Sequence, residues 1–257
     1  MVQRTLSFLN LALSSRPFHE CLFSSTRGEA FRSLAANVGV SRVAFLRHGK
    51  TASTTTGGVD FDRLLTDKGR DQVREAGSSF GSTMKPFFSE MIVSPAPRTM
   101  ESAELFLNAA GVSPDSCHIK PLQDLYDGTM QPEGSQLFKK LGYAPLKEYV
   151  DNGDEKDRKL ARDLLGAYAT SVVDIMMDAM KTASLAPATA LAEGTTLWMV
   201  GHAIYLPAAA IGVAALAGCD EAGIETILSC NTQEAEAYLI SLDTAKAEYL
   251  QRPSSIG

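Results

Sequence analysis

The sequence predicts an α/β fold, a three-layer α/β/α sandwich with a mostly parallel central sheet. Three observations predict it. Short apolar runs of strand length recur along the chain, and longer segments of helical pattern separate them. The chain has 257 residues, 45% of them hydrophobic, enough to bury one sizeable core. Strands alternating with helices imply parallel pairing, with helices covering both faces of the sheet.

The first strand is 42–47, "RVAFLR", with Gly49 supplying the turn beyond it. Residues 65–80 follow as a helix, with Thr66 as its cap and Asp67 in the first turn, where a carboxylate suits the helix dipole. The next strand is 90–94. The helix 95–111 begins at prolines and stops on Gly111. A short strand at 117–122 leads into the loop "QDLYDGTMQPEG". Over 158–181, Ala161, Leu164, Leu165, Tyr168, Val172, Ile175, Met176 and Ala179 recur at helical spacing, so one stripe faces a core. Residues 184–194 read as a loop. The strand 196–201 then repeats the opening pattern and ends on His202, and 235–242 is the last strand.

Residues 1–42 hold five arginines, no lysine, two acids and seven serines, without a clear apolar period. Such a composition resembles an organelle transit peptide of a mitochondrion or plastid, and a disordered tail with no address has the same composition. The expected organisation is therefore a disordered or targeting segment over 1–41 and one domain over 42–257; without an address the protein would be cytoplasmic. A net charge of −6 argues against a nucleic-acid partner. The most apolar stretch, "YLPAAAIGVAALAG" at 205–218, is broken by Pro207 and Gly212 and is short for a bilayer, so no membrane span is expected. Four scattered cysteines show no paired spacing, so buried thiols are expected rather than disulfides or a zinc site.

Arg47 and His48 leave the end of one strand, Arg98 lies just past another, and His202 follows a third. Singly, each is an ordinary loop or helix-end residue. In open parallel sheets, however, ligands gather beyond the carboxyl ends of the strands, and all four residues project at that edge. Gathered cations attract an anion, and guanidinium forks match phosphate oxygens bidentately. A histidine between them can attack phosphorus while neutral, and the arginines stabilise the charge of the transferring group. This chemistry needs no metal and no cofactor. Lys139, Lys140 and Lys147, within 128–159, could meet an anionic substrate, but a solvated helix face is the reading the pattern favours.

The stretches "LRHGKT" (46–51), "LTDKG" (65–69), "SPAPRTMESAE" (94–104) and "VGH" (200–202) resemble, in order, motifs of the histidine phosphatase superfamily, the phosphoglycerate-mutase-like proteins. The resemblance spans roughly residues 42–242. It implies the phosphoglycerate-mutase-like fold, a phosphohistidine formed at His48, and phosphoryl binding by Arg47, Arg98 and His202. Thr51 and Ser94 occupy motif positions and would line the site. Asp124 falls where many members carry a general acid, with Gly128 four residues on; Asp127 and Glu133 are further candidates, and a mere turn accounts for the aspartates equally well. "LYDGT" also resembles the small protein-phosphohistidine phosphatases, which lack that acid. The segment 128–159 sits where the family inserts a variable cap.

Lys50 and Thr54 stand where mutases carry Glu or Gln and Asn, and the mutase substrate motif is absent. The resemblance therefore implies a metal-independent hydrolase of a phosphate monoester, histidine acid phosphatase in type. Its substrate would be a phosphorylated small molecule or a phosphoprotein. A phosphohistidine-protein phosphatase, a phosphotransferase or mutase, and a non-catalytic phosphate-binding module are the alternatives.

Overall fold

Six strands hydrogen-bond in the order β3-β2-β4-β1-β5-β6 in a computed structural model. They are β1 (Val40–Arg47), β2 (Phe87–Val93), β3 (His118–Pro121), β4 (Thr195–Gly201), β5 (Ala237–Ser241) and β6 (Lys246–Leu250). The structure describes residues 25–53, 59–127, 129, 132–185 and 194–253. The first 24 residues of the expected leader, Thr54, Gly128 and most of the expected loop 184–194 lie outside the described residues.

The four strands β3, β2, β4 and β1 run parallel, and β5 and β6 add an antiparallel edge. The mostly parallel sheet and its flanking helices are as the sequence predicts. Side chains alternate across β1: Val43 and Phe45 join one buried cluster, Ala44 and Leu46 the other. The first cluster is closed by α1 (Ser25–Asn37), α7 (Glu155–Leu185), α8 (Tyr205–Ala217) and α9 (Glu221–Ser229), through residues such as Phe31, Val172, Ala209 and Ile224. The second is closed by α2 (Asp67–Ala76) and α3 (Pro97–Ala109), through Val73 and Phe106. Between β3 and α7 lie three shorter helices, α4 (Gln123–Asp127), α5 (Pro132–Leu141) and α6 (Leu146–Asp151). The segment expected to hold a variable cap, 128–159, contains α5, α6 and the start of α7.

Four features depart from expectation, the first being that the expected loop over 123–134 holds the helix α4 and the start of α5. Residues 25–37 do not lie outside the fold: they form α1, with Gly28, Phe31 and Ala35 buried against the core and Phe31 fully enclosed. Only these three positions of α1 are buried, so its apolar stripe is too sparse to stand out by composition. The edge strand β6 was not expected, because its alternating charged residues expose half of it. The helix over 65–80 ends its regular course at Ala76 and continues to Gly81 as a π-turn. There Gly77 sits so close to α3 that a Cβ would come within 2.5 Å of the Phe106 carbonyl oxygen.

The Ala-rich stretch 205–218 is the buried helix α8, packed within the core cluster. Among the described residues, no helix is long and apolar enough to cross a membrane. Cys117 is buried, Cys219 and Cys230 are half-buried, and all three are free thiols.

Register sets the position of the site. Arg47 pairs with Gly201 across β1 and β4, and Val93 pairs with Val200 across β2 and β4. Three strands thus end at one level, and His48, Ser94 and His202 emerge side by side.

Candidate active site

Backbone contacts place the first histidine. The Arg47 amide donates to the Glu236 carbonyl (3.0 Å), and the His48 amide to the Gly201 carbonyl (3.3 Å). Beyond it the chain runs against the start of α2. A Cβ on Gly49 would lie 2.3 Å from the Gly69 carbonyl oxygen, and one on Gly69 would lie 2.1 Å from the Lys50 carbonyl oxygen. Neither position admits a side chain. The Gly49 amide donates to Ser102 Oγ (3.2 Å) and the Lys50 amide to Gln72 Oε1 (3.0 Å), which anchors the turn to α3 and α2. Two motifs that lie apart in sequence, "RHG" and "LTDKG", are therefore halves of one backbone contact.

His48 Nδ1 lies 2.7 Å from the Gly49 carbonyl oxygen. A carbonyl only accepts, so Nδ1 carries the proton and, in the neutral ring, Nε2 carries the lone pair. His202 is fixed in the opposite sense. Arg98 donates to its Nδ1 (3.3 Å), which must accept, leaving the Nε2 proton for Ser94 Oγ at 2.8 Å. The two rings meet edge to face, with centroids 5.4 Å apart. Ser94 therefore orients His202 from below.

Both arginines are almost wholly enclosed, 4% exposed each. Pro97 and Arg98 begin α3, so the guanidinium leaves the first turn toward the strand ends. Arg98 donates to the Asp60 backbone oxygen (2.6 Å) and to its carboxylate Oδ2 (2.8 Å). Arg47 donates to the Thr232 carbonyl (2.5 Å), lies 3.8 Å from the Glu234 carboxylate, and stands 4.9 Å from the centre of the Tyr143 ring. That ring contact has the geometry of a cation–π pair.

Charge and burial keep both imidazoles neutral. Burial, His202 and then Arg98 hold the pKa of His48 well below its ordinary value; burial, Arg98 and Arg47 do the same to His202. Although burial opposes its ionisation, the guanidinium groups of Arg98 and Arg63 hold the Asp60 carboxyl below the usual carboxylate range. The site at rest therefore combines arginine cations, two neutral imidazoles and one ionised carboxylate.

Arg47, His48, Arg98 and His202 all line a single cavity of about 430 Å³. Two further charged residues, Asp60 and Arg63, line it and were not anticipated. They come from the irregular segment ahead of α2, placed by a lone bridge between Thr51 and Leu65 and by their bonds to Arg98 and Thr51. A local sequence pattern carries no sign of them. Thr51 itself does not line the cavity; its hydroxyl accepts from Arg63, because the bridge turns the chain away after Lys50. Asp124 does not line it either. The single turn of α4 buries Leu125 and Tyr126 and exposes Asp124 and Asp127; Glu133, at the start of α5, is also exposed. Tyr126 takes the inward position, with its ring 5.9 Å from that of His202. Of the cap lysines, Lys139 lines the cavity, while Lys140 pairs with Asp157 and Lys147 with Glu225.

Residues 43–126 match the family model of the Histidine phosphatase superfamily (branch 1), a span that includes Arg47, His48 and Arg98. No curated protein matches the sequence. Among solved structures, the phosphoglycerate mutase of Bacillus anthracis str. Sterne is similar with a TM-score of 0.51 and 13% identity, over 84% of this chain and 94% of that one. A mycobacterial glucosyl-3-phosphoglycerate phosphatase gives 0.47 and 14%, over 83% and 99%. The protein histidine phosphatase SixA, complexed with tungstate, gives 0.42 and 14%, over 82% and 94%. The similarity to the mutase is one of fold.

Proposed function

We propose that this chain, whose residues 43–126 match the family model of the Histidine phosphatase superfamily (branch 1), is a metal-independent phosphatase of the histidine acid phosphatase type. It would hydrolyse a phosphate monoester through a phosphohistidine at His48. One observation carries this reading: His48 Nδ1 is tied to the Gly49 carbonyl in a cavity that Arg47, Arg98 and His202 also line. That arrangement leaves Nε2 with a lone pair beside two guanidinium groups.

In the proposed reaction the phosphoryl group lies against Arg47 and Arg98. Nε2 attacks phosphorus, the Nε2–P bond forms as the bond to the leaving group breaks, and the leaving group departs with the proton that a phosphate monoanion itself brings. The positive charge that develops on the ring is shared through Nδ1–H with the Gly49 carbonyl. Water then attacks the phosphohistidine and releases inorganic phosphate, restoring neutral His48. The guanidinium groups stabilise charge on the equatorial oxygens throughout.

A second reading concerns the leaving group. Asp124 is exposed and outside the cavity lining, and Asp60, which lies in it, is held ionised by Arg98 and Arg63. Among the described residues, neither carboxylate is placed to hand a proton to a poor leaving group. This favours substrates whose leaving group needs no carboxylic acid, and a phosphohistidine side chain of a protein is one such substrate. Its imidazole departs readily once its other nitrogen is protonated.

The test is hydrolysis of an aryl phosphate with and without EDTA and vanadate, together with covalent labelling. Activity should survive EDTA and fall with vanadate, and His48→Ala should abolish turnover and labelling. Labelling that persists in this variant, or activity restored by added metal after chelation, would refute the reading.

A further inference from the structure

Apart from the charged groups and the hydroxyl residues Thr129 and Ser135, the cavity has an aromatic and aliphatic wall of Phe138, Tyr143, Ile204 and Tyr205. We propose that this wall is a leaving-group subsite for a planar aromatic ring, so that the substrate is a phosphate carried on an aryl or heteroaryl group. The inference rests on the phosphatase reading of His48 and names the substrate class of that same cavity.

Three observations converge on it. The first is proximity. The Tyr143 ring centre lies 4.9 Å from the guanidinium carbon of Arg47, one of the two groups that would grip the phosphoryl oxygens. A group carried by phosphorus on that side would lie toward the ring wall, with the half-exposed Tyr143 at its rim. The second is geometry. Phe138 and Tyr143 already meet edge to face at 4.9 Å, and Tyr205 meets Tyr168 in the same manner at 5.0 Å. A third ring entering beside them finds faces and edges to pack on, the arrangement aromatic groups prefer. The wall is also held in place from outside: Gly134 leaves so little room that a Cβ there would lie 2.2 Å from the Tyr205 hydroxyl oxygen, so α5 and the start of α8 are in direct contact.

The third observation is chemical. Asp60 is ionised and Asp124 lies outside the cavity lining, so the leaving group must depart without help from either. Phenols and imidazoles are far better leaving groups than aliphatic alcohols. The ring that the wall would bind is also the ring that the rest of the cavity would be able to release. A cavity of about 430 Å³ exceeds what a bare phosphate needs and is in the range of small-molecule sites.

The experiment uses non-hydrolysable ligands, which remove leaving-group ability from the comparison. Methylphosphonate, benzylphosphonate and (cyclohexylmethyl)phosphonate are titrated into the full chain by calorimetry, with displacement by vanadate. Benzylphosphonate should bind roughly tenfold tighter than methylphosphonate, and more tightly than its saturated counterpart of similar bulk. Phe138→Leu, which keeps an apolar side chain and removes the ring, should close most of the gap between the benzyl and methyl ligands. Equal binding of those two ligands by the wild-type chain overturns the subsite. A cyclohexylmethyl ligand that equals the benzyl one overturns the preference for an aromatic ring. A benzyl advantage undiminished in both Phe138→Leu and Tyr205→Leu overturns its placement at this wall. If all three ligands fail to bind and vanadate fails as well, the phosphate-binding reading itself falls.

Discussion

Lowering the pH below about 6.5 should destabilise this protein through its two buried imidazoles. In the folded chain, burial and the neighbouring cations keep His48 and His202 neutral. In the unfolded chain each takes up a proton with a pKa of about 6.5. A folded-state pKa below the unfolded value means that the unfolded state binds more protons as pH falls. Stability is therefore full well above pH 6.5 and is lost below it. For one imidazole that stays neutral, the loss is RT ln(1 + 10^(6.5 − pH)), about 1.4 kcal/mol at pH 5.5, and about 2.8 kcal/mol for the pair. Against a total stability on the order of 5–15 kcal/mol this is a large effect. The assay is urea denaturation of wild type, His48→Gln and His202→Gln between pH 8 and 5.5. Each variant should lose about half of the pH dependence, and saturating phosphate should flatten it further, because a bound anion lets an imidazole keep its proton. Identical pH dependence in wild type and both variants would refute the burial argument.

Gly69→Ala should cost about 1–3 kcal/mol or more, and most of the activity, because its Cβ would meet the Lys50 backbone; denaturation midpoint and turnover check it. Phe31→Ala should cost about 3–5 kcal/mol, since the ring is fully enclosed, while truncation before residue 25 leaves α1 in place; thermal unfolding of the two proteins separates them. Asp124→Asn should leave turnover of both alkyl and aryl phosphates within about twofold of wild type, as expected for an exposed carboxylate; a selective loss on the alkyl ester of roughly 10²-fold would restore it as the proton donor.

The parts of the site that were legible in the sequence are those that regular strands deliver. Arg47 and His48 follow an apolar run, His202 follows another, and parallel register brings them to one level without further information. Arg98 was legible because a proline-started helix must follow its strand. Asp60 and Arg63 were not, since the segment that carries them has no period and is held by one bridge and by side-chain bonds. Asp124 is the opposite case. Its position in the chain fits the family pattern, but a helix of a single turn sends neighbouring side chains in opposite directions, and Tyr126 faces inward instead. The helix α1 is not legible in the sequence because three buried positions in thirteen barely change its average polarity. The edge strand β6 is not legible for a related reason: alternation of charge and apolar residues over five positions is common in loops as well.

The contact between Gly49 and Gly69 also has a mechanical meaning. With carbonyl oxygens filling the space where side chains would stand, the turn after His48 and the first turn of α2 have no clearance between them. Neither can shift toward the other, and the hydrogen bonds from Lys50 to Gln72 and from Thr66 to Lys50 resist their separation. The turn that carries His48 and the outer helix thus form a stiff linkage with no spring in it. A tilt of α2, including one imposed at its solvent face by a bound partner or a surface substitution, should therefore displace the His48 turn with it.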